Sequence, residues 1–91
     1  MADNSEQIEI TRKRLLWRAT HRGIKEMDIV VGGFAAERLG GMNEIELNEF
    51  ERLLELPDQE LLSWATKQEQ VPADLGSPLL MEMMSFRPVV S

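Results

Sequence analysis

The chain has no cysteine, no tyrosine and a single histidine, His21. Without cysteine there are no disulfides, thiolate metal ligands or thiol nucleophiles. One histidine excludes paired-His metal sites and weakens any triad with histidine as base, and the missing tyrosine removes another common acid–base group. No apolar run approaches the roughly 20 residues that a membrane span needs. Met1–Ile10 carries Asp3, Glu6 and Glu9 and no base, the opposite of a signal or transit peptide. The expectation is a soluble cytoplasmic protein with no membrane insertion. At 91 residues the chain has room for one domain, 1–91, with 1–7 and 88–91 as loose tails.

What is present is charge, unevenly placed. Ten bases against sixteen acids give a net −6. Yet Arg12, Lys13, Arg14, Arg18, Arg22 and Lys25 lie in one stretch that holds no acid. The densest acidic stretch, Glu44–Glu60, sets seven acids against Arg52 alone. Two accounts follow. The basic segment lies beside the acidic one and the two partly cancel, or it forms a docking face for an acidic partner.

Apolar spacing predicts an all-α fold, a small antiparallel bundle of four to five helices. The first runs from about Ile8 to His21 with Ile8, Leu15, Leu16 and Ala19 inward, and Gly23 supplies a left-handed stop. The second runs from about Lys25 to Leu39, where Met27, Val30, Val31, Phe34 and Ala35 give the clearest helical period. Gly32 and Gly33 inside it predict close helix packing or a bend. Asn43 with Glu46 predicts a capping box opening a third helix to about Leu54. A short helix from Pro57 to about Thr66 follows, burying Leu61, Leu62 and Ala65. Val71–Gly76 reads as a loop, and Ser77-Pro78 opens a last helix over Leu79, Leu80, Met83 and Met84.

Little of this looks catalytic. Glu44, Glu46, Glu49, Glu51 and Glu55 have the spacing of a solvated helix face. The methionines Met81, Met83 and Met84 read as core filling. The Arg22-Gly23-Ile24-Lys25-Glu26 turn, with Asp28 beyond it, reads first as helix punctuation. However, Arg14, Arg18 and Arg22 recur every four residues and form a guanidinium row that ends at this turn. Trp17 projects away from the apolar stripe. A tryptophan beside arginines is the composition of an interface hot spot, unless the C-terminal helix covers it.

The run Arg14-Leu15-Leu16-Trp17-Arg18-Ala19-Thr20-His21-Arg22-Gly23-Ile24-Lys25-Glu26-Met27-Asp28 resembles the signature of the succinate dehydrogenase flavinylation factors, an R-x-L-L lead-in followed by R-G-x-x-E. The similarity continues through Phe34-Ala35, Phe50-Glu51-Arg52-Leu53-Leu54, and a D-x-x-L-x-x-W stretch from Asp58 to Trp64. It spans about Thr11 to Val71. His21 departs from it, standing where the family usually has a second basic residue.

The resemblance implies a five-helix assembly factor that is not an enzyme. It implies binding to the flavoprotein subunit of succinate dehydrogenase or fumarate reductase, by a chain expected to be a monomer. It also implies that the factor promotes covalent attachment of FAD to a histidine of that client, while holding no FAD or metal stably by itself. The expected contact residues are Arg22, Gly23 and Glu26, supported by Asp28 and Arg18. Arg22 would meet a client carboxylate bidentately, Gly23 would permit close backbone approach and Glu26 would accept from client donors. On that expectation the Arg22 and Glu26 side chains face solvent and contribute little to folding. The rival readings are a nucleic-acid-binding module using 12–25, against which the acidic remainder argues, and a toxin-neutralising protein.

Overall fold

A short list of punctuation residues sets where the helices begin and end. In the computed structural model, which describes residues 4–87, α1 runs Asn4–Thr20 and α2 Lys25–Arg38. A 3-10 turn at Leu39–Gly41 leads to α3, Glu44–Leu53, then α4, Asp58–Ala65, and α5, Pro78–Ser85. Among the described residues there is no strand, so the architecture is all-α with five helices. Gly23 turns the chain between α1 and α2 at φ +98°, a conformation that costs an L side chain strain. Asn43 accepts from the Glu46 N–H while the Glu46 carboxylate accepts from the Asn43 N–H, the reciprocal capping box at the start of α3. Ser77 caps α5 by accepting from the Leu80 N–H, with Pro78 at the first helical position.

The core runs through all five helices. Leu15 and Ala19 of α1 meet Met27, Val31, Phe34 and Ala35 of α2, and Leu47, Phe50, Leu61, Leu80 and Met83 close it. The Phe34 ring lies 6.2 Å from Phe50 and 5.8 Å, edge-on, from Phe86, so α2, α3 and the residue that ends α5 share an aromatic contact. Gly32 shows why α2 tolerates a glycine in its middle. A Cβ there would lie 2.9 Å from Thr20 Cγ2 and 3.3 Å from the Ala19 carbonyl oxygen, so α1 and α2 pack closer than alanine allows.

Several of these expectations are corrected. α1 begins at Asn4, so residues 4–7 are helical rather than loose; 1–3 and 88–91 lie outside the described residues. Leu16 is exposed, because in α1 it sits beyond the edge of the Leu15–Ala19 stripe. Val30 and Leu62 are half-buried at the rim of the core. Met81 faces outward while Met83 and Met84 are buried, and Trp64, absent from the expected core, is buried. Helical spacing identifies a stripe but not how wide the neighbours make it. Among the described residues no helix is long and apolar enough to cross a membrane.

Candidate functional site

The guanidinium row of α1 faces a row of acids. Arg14 Nη2 donates to Glu51 Oε2 at 2.9 Å, and Arg18 Nη2 donates to Glu55 Oε1 at 2.8 Å with its Nη1 3.8 Å from Glu51. Arg22 Nε donates to Asp58 Oδ1 at 2.7 Å. Glu51 lies on α3, Glu55 in the turn after it and Asp58 at the start of α4, so α1 and the turn that follows it are laced to the end of α3 and the start of α4. Of the two accounts of the charge distribution, partial cancellation within the molecule describes this row. Arg12 is spent differently. It pairs with Glu9 and donates to the Leu39 and Met42 carbonyls, capping the 3-10 turn.

The row is not uniform. Arg14 is 55% exposed, Arg18 32% and Arg22 only 8%. Besides Asp58, Arg22 donates through Nη1 to the Leu54 carbonyl at 2.6 Å and through Nη2 to the Leu56 carbonyl at 2.7 Å. These carbonyls follow the C-terminal end of α3, where helix acceptors lack partners and the dipole favours a cation. Asp58 opens α4, where the dipole favours an anion. One guanidinium therefore closes the junction between two helices. The Arg22 N–H in turn donates to Asp28 Oδ1 at 2.6 Å, so the first turn of α2 reaches back and holds the loop.

This corrects the expected geometry of two site residues. Arg22 does not offer its fork to solvent, and Asp28 is tied to the backbone of Arg22; both brace the corner from inside. Arg18 is half-buried against Glu51 and Glu55. What the corner presents outward is Gly23, Lys25 and Glu26, all exposed. A Cβ at Gly23 would meet no atom within 4 Å, so its outer side is open. Beside the corner, Trp17 is exposed and the C-terminal helix does not cover it. Glu51 and Glu55, read from spacing as a solvated face, instead receive Arg14 and Arg18. The signal was available: Arg14 and Arg18, four residues apart, meet Glu51 and Glu55, also four apart. The carbonyl partners of Arg12 and Arg22 carry no sequence signal, because every residue has a carbonyl.

Among the described residues, no group of three or more histidine, aspartate or glutamate side chains is placed to hold a metal ion. Every buried side-chain nitrogen and oxygen described has a hydrogen-bond partner.

The family model described as flavinator of succinate dehydrogenase matches residues 13–87. The chain belongs to this family. It is 37% identical over 79 residues to the FAD assembly factor SdhE of Acetobacter pasteurianus, covering 87% of this chain and 72% of that protein. To the mitochondrial succinate dehydrogenase assembly factor 2 of Scheffersomyces stipitis it is 42% identical over 66 residues, 72% of this chain and 44% of the relative. To the protein of the same name in Dictyostelium discoideum it is 32% identical over 74 residues, 81% of this chain and 52% of the relative. The chain thus spans about half the length of these mitochondrial relatives.

Within the matched span of this flavinator family, Arg22-Gly23-x-x-Glu26 and Asp58-x-x-Leu61-x-x-Trp64 are far apart in sequence. The Arg22–Asp58 ion pair joins them. Leu61 and Trp64 of the second motif serve the core. Asp58 serves the corner.

Proposed function

We propose that this chain is an assembly factor that binds the flavoprotein subunit of succinate dehydrogenase or of fumarate reductase and promotes covalent attachment of FAD to a histidine of that subunit. The observation that carries the reading is the family match over residues 13–87, which contains the whole braced corner. The name of the Acetobacter pasteurianus relative, an FAD assembly factor, supports it. In attachment the 8α-methyl loses a proton, an imidazole nitrogen bonds to that carbon and gives up its own proton, and the electron pair passes to the isoalloxazine, which is left reduced. The client supplies both ring and imidazole. The chain's contribution is then geometric and needs no turnover of its own. It holds the client in the arrangement where imidazole and carbon meet, an effect worth several kcal/mol when orientation is good.

In this reading Gly23 and Glu26 touch the client, Glu26 by accepting from client donors and Gly23 by admitting a close backbone. Arg22, Asp28 and Arg18 keep that corner in shape. The factor works as a monomer in the cytoplasm and holds FAD only through the client.

Co-expression of the chain with the client, followed by in-gel flavin fluorescence of the denatured client, reads covalent attachment directly. Fluorescence should rise with the wild-type chain and fall with Glu26→Ala, whose exposed side chain contributes little to folding. Equal fluorescence with and without the chain would overturn the function. A rise with wild type and an equal rise with Glu26→Ala would overturn only the contact assignment.

A further inference from the structure

Trp17 is the largest of the exposed apolar side chains among the described residues. It is 62% exposed, whereas the other tryptophan, Trp64, is 6% exposed. It is not loose. The His21 ring lies against the indole with centroids 4.2 Å apart and planes 13° from parallel. His21 Nδ1 is 2.7 Å from the Trp17 carbonyl oxygen and 3.0 Å from Thr20 Oγ1. A carbonyl only accepts, so Nδ1 carries the hydrogen. The Thr20 hydroxyl is itself held by the Leu16 and Trp17 carbonyls. The imidazole is thus fixed by the last turn of α1, and it props the indole in one orientation.

An ordered aromatic left in water is suited to binding, because little rotamer freedom remains to be lost on docking. Its surroundings indicate the partner's chemistry. Lys13, one turn before Trp17, and Lys25, just past Gly23, form no ion pair among the described residues. Both belong to the stretch from Arg12 to Lys25, which holds no acid on a chain of net −6. A second copy docking through the same patch would bring like charges together, since a two-fold interface uses one surface twice.

We propose that the Trp17–His21 stack is the anchor by which the chain docks, beside the Gly23–Glu26 corner, on an acidic surface of its flavoprotein client, the indole entering an apolar recess and Lys13 and Lys25 facing carboxylates around it. This rests on the assembly-factor reading above.

The test labels the chain with 5-fluorotryptophan and follows its two 19F resonances, assigned with Trp17→Phe, as the unlabelled FAD-free flavoprotein subunit of succinate dehydrogenase is added. The Trp17 resonance should shift and lose its H2O/D2O isotope effect on binding, while that of Trp64 should not. Trp17→Ala should unfold within a few degrees of wild type and raise Kd about 30-fold or more. His21→Ala, which leaves the indole unpropped, should raise Kd about 3- to 10-fold. Lys13→Glu and Lys25→Glu should slow association at low salt, with the difference shrinking at high salt. A complex in which Trp17 keeps its isotope effect, and Trp17→Ala binds within about threefold of wild type, would overturn the proposal alone. Loss of the isotope effect in the labelled chain by itself as its concentration rises would assign the patch to self-association and overturn it too. No complex with the wild-type chain would remove the assembly-factor reading and this proposal together.

Discussion

The two ends of the guanidinium row, Arg14 on α1 and Arg22 in the turn just beyond it, carry the same side chain, each donating to a carboxylate under 3 Å away. Their energetics differ because their surroundings do. At the Arg14 end the guanidinium is 55% and the carboxylate 37% exposed, so solvent and salt screen the pair and ordering two side chains offsets most of the Coulomb gain. At the Arg22 end the guanidinium is enclosed between α3 and α4 and meets the carbonyls of Leu54, the C-cap of α3, and of Leu56 in the linker, as well as Asp58. A cation taken out of water is tolerated only when its donors are satisfied, and removing it leaves a carboxylate and two carbonyls short of a partner. Counting ion pairs would treat the two ends as equal. Burial and the carbonyls separate them.

Removing Arg22 should produce the largest effect. Arg22→Ala is expected to cost about 3 kcal/mol in urea unfolding, a fall in Tm on the order of 15 °C for a domain of this size. A loss below about 1 kcal/mol would mean that the enclosed end is no stronger than the exposed one. Gly23→Ala comes next, at about 1–2 kcal/mol. It meets no steric block, so the cost is the left-handed backbone itself, and Gly23→Asn should recover part of it. Arg18→Ala should cost about 0.5–1 kcal/mol, since it is half-buried and faces two carboxylates. Arg14→Ala should cost no more than about 0.5 kcal/mol, vanishing in high salt. Double-mutant cycles sharpen the contrast: coupling of about 2 kcal/mol for Arg22 with Asp58 against a few tenths for Arg14 with Glu51. Equal couplings would erase the distinction.

The same contrast bears on function. A substitution at Arg22 that lowers flavin attachment does not make Arg22 a contact, because the corner it braces would sag with it. Glu26 separates the two roles, since it lies outside that network and its loss should move attachment without moving stability. Arg22→Lys, which keeps a charge but loses the fork, should fall between wild type and Arg22→Ala in unfolding, as a bracing role requires.

Much of the fold was legible because its signals are local. The capping box at Asn43–Glu46, the Ser77-Pro78 start of α5, the Gly23 stop and the period of Met27, Val31, Phe34 and Ala35 each depend on residues within two turns of one another. The family signature was legible in the same way, as an ordered run of residue types. The outward exposure of Trp17 followed from its position off the Leu15–Ala19 stripe. The width of that stripe did not, so Leu16 was placed inside when it lies outside.

The destinations of the polar side chains were harder to read, for a physical reason. A guanidinium on a helix face can point to solvent, to a client or to another helix, and helical spacing is the same in each case. The sequence by itself determined four to five helices, the caps of α3 and α5, the sharp turn at Gly23 and an arginine every fourth residue from Arg14 to Arg22. Only the tertiary structure decided that the last of those arginines turns inward. α3 ends and α4 begins at the place where α1 stops, and two unpaired carbonyls beside a carboxylate form there a site that a guanidinium fits better than water does.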